Sequence, residues 1–132
     1  MLVRKVIYSI LNLFDNHKEK IPKLLLQKFK KHPQFSIRDK QRIRICINEI
    51  IRYLGLIDYL IELGSQRKIR YFNQKIKNVL RLGIYELVFD DGTPDFAAIH
   101  SNVELAKKNI NKKSSSMVNA VMRNIQRLSQ KN

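Results

Sequence analysis

The chain is poor in the residues that usually carry chemistry. It has one cysteine, Cys46, among 132 residues, which excludes a disulfide framework and a cysteine-based zinc site. Cys46 sits at helical spacing among Ile43, Ile47 and Ile50, the setting of a buried, inert thiol. The four glycines are scattered, so no glycine-rich loop cradles a phosphate. His17, His32 and His100 lie far apart and lack metal-ligand spacing. A lone histidine needs partners to act. His17 and His32 read as solvated loop or helix-end residues, and His100 as a helix-edge residue. No apolar run approaches the ~20 residues of a membrane span. No small-residue cleavage site follows the apolar start MLVRKVIYSILNLF. The expectation is a cytoplasmic protein with no catalytic site and no cofactor.

Acid is scarce too. Eleven Asp and Glu stand against 26 Lys and Arg, for a formal net charge of +15. A domain this basic meets a polyanion, nucleic acid or an anionic membrane. Abundant Lys, Asn and Ile is also what AT-rich coding produces. The membrane alternative is the weaker one, because the basic residues do not gather on one amphipathic terminal helix. A hydrophobic content of 44% suffices for one domain with a real core over residues 1–132.

What is present is helical periodicity, with convincing strands absent. Residues 2–15 place Val3, Ile7, Ile10, Leu11 and Phe14 on one stripe, and 16–20 form a polar break. Pro22 suits the first turn of a helix over 21–31, with Leu24, Leu25 and Phe29 inward. Ser36 caps a long third helix, helped by Asp39, with Ile43, Cys46, Ile47, Ile50, Ile51 and Leu54 buried. Gly55 reads as a break, and Gly64 as the C-cap of a short helix. Asn73 caps the next helix, where Gly83 interrupts an apolar stripe and implies close approach of another helix. Thr93 caps and Pro94 opens a helix whose core face is Ile99, Val103, Ala106 and Ile110. Residues 111–116 read as a polar loop before a last helix burying Val118, Val121, Met122, Ile125 and Leu128. Short connections between helices imply an all-α bundle of about six or seven helices.

Charge placement suggests where a ligand would bind. From Leu105 onward no acidic residue occurs. Asn119, Arg123 and Arg127 follow at four-residue steps and share a face opposite Val118, Val121 and Ile125. Arginine and asparagine can hydrogen-bond phosphates and unpaired base edges. Lys75, Lys77 and Arg81 form a second basic cluster, and Arg4 and Lys5 a third. Tyr8, beside the third, suits either base stacking or partial core burial. For each cluster the bland alternative is a solvated face. Asp58, Glu62, Glu86 and Glu104 sit singly on helix faces and read as structural ion-pair partners. The helix at Ala97–Lys108, with Glu104, Lys107 and Lys108, is a further candidate, as a docking face for a protein partner.

Residues 80–87 (LRLGIYEL), Pro94 with 103–107 (VELAK), and 117–123 (MVNAVMR) form an ordered set of three segments that resembles the NusB-type RNA-binding domain family. Residues 80–87 match its LRLxxYEL helix. Pro94 with 103–107 matches its proline-led helix. Residues 117–123 match its (F)VNxVLR segment. Upstream, 36–39 and 56–60 resemble the family's third-helix cap and LDxxI/L stretch, so the resemblance spans nearly the whole chain. It implies a NusB-like fold of two packed helical subdomains and a non-enzymatic RNA-binding role in transcription antitermination or termination control. The implied partners are RNA, either a boxA-like leader or small-subunit rRNA, with a small ribosomal protein and the transcription machinery. The family domain also precedes the catalytic part of RsmB-type rRNA cytosine-C5 methyltransferases, which gives the alternative role of an accessory module. This sequence offers neither a cofactor-binding sheet nor a plausible catalytic cysteine.

The chain departs from the family pattern in places. Only Met1–Val3 precede Arg4, where NusB has an arginine-rich arm. Ser101 stands where Glu is common, Met117 where Phe is usual, and Arg123 where NusB tends to have Asp. The ending RNIQR is closer to the methyltransferase type.

Overall fold

The computed structural model describes residues 2–17 and 20–130, without the His17 side chain. The reading of His17, and part of the break expected over 16–20, lie outside the described residues. The observed architecture is all-α. Seven α-helices and two short helical turns account for the elements, and no strand occurs among the described residues. The chain divides into two compact units, Met1–Arg52 and Tyr53–Asn132.

The first unit holds α1 (Leu2–His17), α2 (Ile21–Lys31) and α3 (Ile37–Arg52). Helix α1 packs on both others. Its stripe Ile7, Ile10 and Leu11 is buried, with Leu24 of α2 and Ile43, Ile47 and Ile50 of α3. Pro22 takes the first turn of α2, where the missing N–H costs nothing. Ser36 and Asp39 cap α3 reciprocally. Ser36 Oγ accepts from Asp39 N at 3.0 Å, and Asp39 Oδ2 accepts from Ser36 N at 3.3 Å. This is a capping box with Asp in place of Glu.

The second unit holds α4 (Leu54–Ser65), a 3₁₀ turn (Ile69–Tyr71), α5 (Gln74–Ile84), a π turn (Tyr85–Phe89), α6 (Asp95–Asn109) and α7 (Lys112–Ser129). Helix α7 packs against α4, α5 and α6. The close approaches occur at glycines. A Cβ on Gly83 would lie 2.7 Å from Met122 Sδ, and one on Gly64 2.8 Å from Ile125 Cδ1. The expected helix contact at Gly83 is therefore made by α7.

Several expected boundaries move. The break falls at Tyr53 (φ −104°, ψ 21°), and Gly55 lies inside α4. Leu54 accordingly opens α4 rather than ending α3. Gly64 is a buried packing position within α4, and the left-handed C-cap is Gln66 (φ 55°). Helix α6 starts at Asp95, after Pro94. Thr93 instead donates its hydroxyl to Asp90 Oδ2 at 2.7 Å. Residues 112–116 are helix, because Asn111 Oδ1 accepts from Ser114 N at 2.7 Å and starts α7 a full turn early. Leu128 is exposed at the far end of α7.

The core face of α6 is also rotated from expectation. Ala98, Ile99, Asn102, Leu105 and Ala106 are buried, while Val103 and Ile110 are only partly so. That face carries a buried polar pair among apolar side chains. Asn102 Nδ2 donates to Glu86 Oε1 at 2.8 Å and to Ala98 O at 2.8 Å. These bonds satisfy the buried Asn102 NH₂, while Asn102 Oδ1 is buried with no hydrogen-bond partner.

Candidate nucleic-acid interface

Asn119, Arg123 and Arg127 all lie on α7. Asn119 is half-buried, and Arg123 and Arg127 are exposed. Arg123 Nε donates to Asn119 Oδ1 at 3.0 Å, one helical turn away. Because the arginine can only donate, the Asn119 carbonyl faces it and the Asn119 NH₂ points elsewhere. Arg127 is held differently. Its Nη2 donates to Asn124 Oδ1, and Asn124 Nδ2 donates to Gly64 O at 2.8 Å. Arg127 is thereby tied toward the end of α4, and Arg123 faces α6.

Between α6 and α7 lies an open groove of about 370 Å³, lined by Phe96, Ile99, His100, Val103, Asn119, Arg123 and Gln126. The α6 wall is a second stripe, Phe96, His100 and Val103, set off the core face of that helix. Phe96 is 77% exposed, so its ring face is open to solvent. Gln126 Nε2 donates to Asp95 Oδ2 at 3.4 Å across the groove's end.

Sequence reasoning missed Phe96 and Gln126 as site residues and gave His100 no role beyond a helix edge. The signal was available in the spacing. Phe96, His100 and Val103 recur at steps of four and three, as do Asn119, Arg123 and Gln126 on the facing helix. Assigning Val103 to the core hid the first stripe.

Arg81 does not belong with Lys75 and Lys77 as a surface cation. It is 7% exposed and ion-paired with Asp58, its Nε donating to Asp58 Oδ1 and its Nη2 to Asp58 Oδ2, both at 2.9 Å. Its Nη1 donates to Asn78 Oδ1 at 3.0 Å. Its long stem fills the unit's interior, so the second cluster reduces to exposed Lys75 and half-buried Lys77. The ion-pair reading of Asp58 therefore holds. Glu62 differs, accepting from Ile69 N at 2.7 Å to fix the 3₁₀ turn.

In the first unit, Arg4 is half-buried and Lys5 exposed. Tyr8 is 6% exposed, which is the core alternative for that ring. Burial pushes its phenol above the ordinary value, against a smaller lowering by a hydrogen bond with Asn12. On α6, Glu104 is half-buried, and Lys107 and Lys108 are exposed in the last turn. Cys46 is buried and in no disulfide. No group of three or more His, Cys, Asp or Glu among the described residues is placed to hold a metal. No helix among them is long and apolar enough to cross a membrane.

Comparison with known proteins agrees with this architecture. The family profile described as NusB family matches residues 1–127. A probable ribosomal RNA small subunit methyltransferase B of Synechocystis is 33% identical over 97 residues, which cover 74% of this chain and 22% of that protein. The transcription antitermination protein NusB of Finegoldia magna is 26% identical over 98 residues, covering 74% of this chain and 72% of that protein. This chain thus corresponds to under a quarter of the methyltransferase relatives it matches. Among solved structures, antitermination factors NusB and NusE in complex with double-stranded RNA include a chain that superposes with a TM-score of 0.87. The identity there is 22%, covering 96% of this chain and 94% of the other. That likeness is one of fold.

Proposed function

Because the chain belongs to the NusB family, we propose that it is a non-enzymatic RNA-binding factor acting in transcription antitermination or termination control. The observation that carries this reading is the α7 stripe. Arg123 and Arg127 are exposed on a helix without acidic residues, in a chain of formal net charge +15. In this reading the two arginines contact phosphates, and Asn119 lies near the bases. The relatives named as antitermination proteins support the process, and the NusB–NusE–RNA complex supports the partner classes, RNA and a small ribosomal protein. The α6 residues Glu104, Lys107 and Lys108 are the proposed protein contact. Arg4, Lys5, Lys75 and Lys77 are proposed as weaker RNA contacts.

The test is binding to a boxA-like RNA across a salt series. Affinity should fall steeply with salt as condensed counterions are released. The double variant Arg123→Glu, Arg127→Glu should abolish most of it. Retained affinity in that variant would refute the reading.

A second reading is an RNA-guiding module related to rRNA cytosine methyltransferases, favoured by the match to the Synechocystis enzyme. Crosslinking in cells with sequencing of the bound RNA separates the two. Leader RNA supports antitermination, and small-subunit rRNA supports the module.

A further inference from the structure

We propose that the groove between α6 and α7 is a subsite for one unpaired nucleotide of single-stranded RNA, with Phe96 as its stacking platform. The inference rests on the RNA-binding reading above and specifies which form of RNA the site selects.

Three features of the groove converge on that occupant. The first is an aromatic ring offered to solvent. Phe96 is 77% exposed and projects from the first turns of α6, beside the groove rather than toward the core. Every base presents a flat π-face, so an exposed ring stacks any of them. The second is a polar pair opposite. The hydrogen bond from Arg123 Nε to Asn119 Oδ1 at 3.0 Å leaves the Asn119 NH₂ available to donate to a base-edge acceptor. The same bond uses only one of the five donors of Arg123, and the rest of its fork suits the adjoining phosphate. The third is charge. The α7 wall carries no acidic side chain and presents Arg123 to the groove. No carboxylate lines the groove; Asp95, which accepts from Gln126 at its end, keeps its charge. A groove of about 370 Å³ is at the small end of ligand clefts, suited to one nucleotide rather than a helix. A base paired within a duplex cannot place its face on Phe96, so the subsite discriminates against double strands.

An apolar protein segment would also cover Phe96. The arginine, asparagine and histidine around the ring favour a polyanion that presents a flat ring together with a phosphate.

The experiment uses the full chain with a short mixed-sequence single-stranded RNA and a duplex long enough that stacking on its two ends is negligible beside its paired interior. Phe96→Ala should weaken single-strand binding about 5- to 150-fold, the range reported for losing one stacked base. Duplex affinity and the salt dependence should not change, because no phosphate contact is removed. Phe96→Trp should retain single-strand affinity. Since the chain has five tyrosines but no tryptophan, the new indole can be excited selectively beyond the tyrosine absorption band, and single-stranded RNA should quench it while duplex does not. Position 96 is exposed, so both variants should fold, as circular dichroism will show.

If Phe96→Ala binds single strands like the parent while Arg123→Glu with Arg127→Glu still abolishes binding, the subsite is wrong and the phosphate stripe stands. If Phe96→Ala changes only capture of a ribosomal protein, the groove is a protein site and the proposal fails. If the parent chain binds neither RNA, both this proposal and the function it rests on fall.

Discussion

Arg81 on α5 grips Asp58 on α4 through two parallel hydrogen bonds of 2.9 Å. The pair is largely removed from water, with side-chain exposures of 8% and 19%. In a strongly basic chain this arginine is a structural strut. Removing one partner strands the other, which costs about 3 kcal/mol or more. Arg81→Met should therefore lower unfolding free energy by roughly that amount in urea titration. The double replacement Arg81→Met, Asp58→Leu should recover much of the loss, because two apolar groups strand no charge. The salt slope of RNA binding should not change in Arg81→Met. A lowered slope would return Arg81 to the RNA-contacting surface.

The two glycines that face α7 should respond differently to alanine. At Gly83 the crowding atoms are Met122 Sδ and Cε, the far end of a flexible side chain that repacks readily. Alanine also gains ~1 kcal/mol of helix propensity there, so Gly83→Ala should be near neutral. At Gly64 the added Cβ meets Cγ1 and Cδ1 of Ile125, both at 2.8 Å, and the backbone oxygen of Val121 at 3.2 Å. Ile125 is β-branched and the carbonyl is fixed, so neither yields easily. Gly64→Ala should cost about 1–3 kcal/mol. Thermal unfolding of the two variants side by side decides this, and equal shifts would refute the contrast.

The sequence made these helices readable where periodicity and capping chemistry agreed. Ser36, Asn73 and the Gly83 contact behave as local rules demand. What it hid were choices settled by tertiary partners. Asn102 looks like a surface residue until Glu86 is seen beside it in the core, and the core face of α6 runs through Asn102 and Leu105 rather than Val103. Val103 then lies on the groove wall with Phe96 and His100, which helical spacing puts on its side of α6. Arg81 looks like a surface cation until Asp58, distant in sequence, comes within reach. The α7 stripe was legible because all its members lie on one helix. The groove was not, because it needs two helices and the correct rotation of one of them.

Tyr8 gives an alkaline signature. Burial raises its phenol above the ordinary value of 10.0. Below that pH the phenol is neutral in both folded and unfolded chains and its burial is unopposed. Above it the unfolded chain ionises first, which favours unfolding. The stability contributed by Tyr8 is thus complete below about pH 10 and lost as pH rises through the folded value. Tyr8→Phe, which cannot ionise, should lose less stability than the parent between neutral pH and the alkaline range. Urea midpoints of both proteins on either side of pH 10 will check this. Parallel losses would mean the ring is solvated, and would reopen a stacking role for Tyr8.

The α7 stripe makes the most direct prediction for function. For single-stranded RNA, each phosphate neutralised by a cation contributes about 0.7 to the slope of log affinity against log salt. Arg123→Ala should lower that slope by about this much if one guanidinium meets one phosphate. Asn119→Ala keeps every charge but removes the acceptor that holds Arg123 Nε at 3.0 Å. It should weaken binding while changing the slope far less, because the cation remains and only its aim is lost. Arg127 is tied through Asn124 to Gly64, so Asn124→Ala should act on Arg127 in the same manner. Affinities measured at several salt concentrations separate the two classes of variant. If Asn119→Ala lowers the slope as much as Arg123→Ala, orientation and charge are not separable on this helix, and the assignment of distinct roles to Asn119 and Arg123 fails.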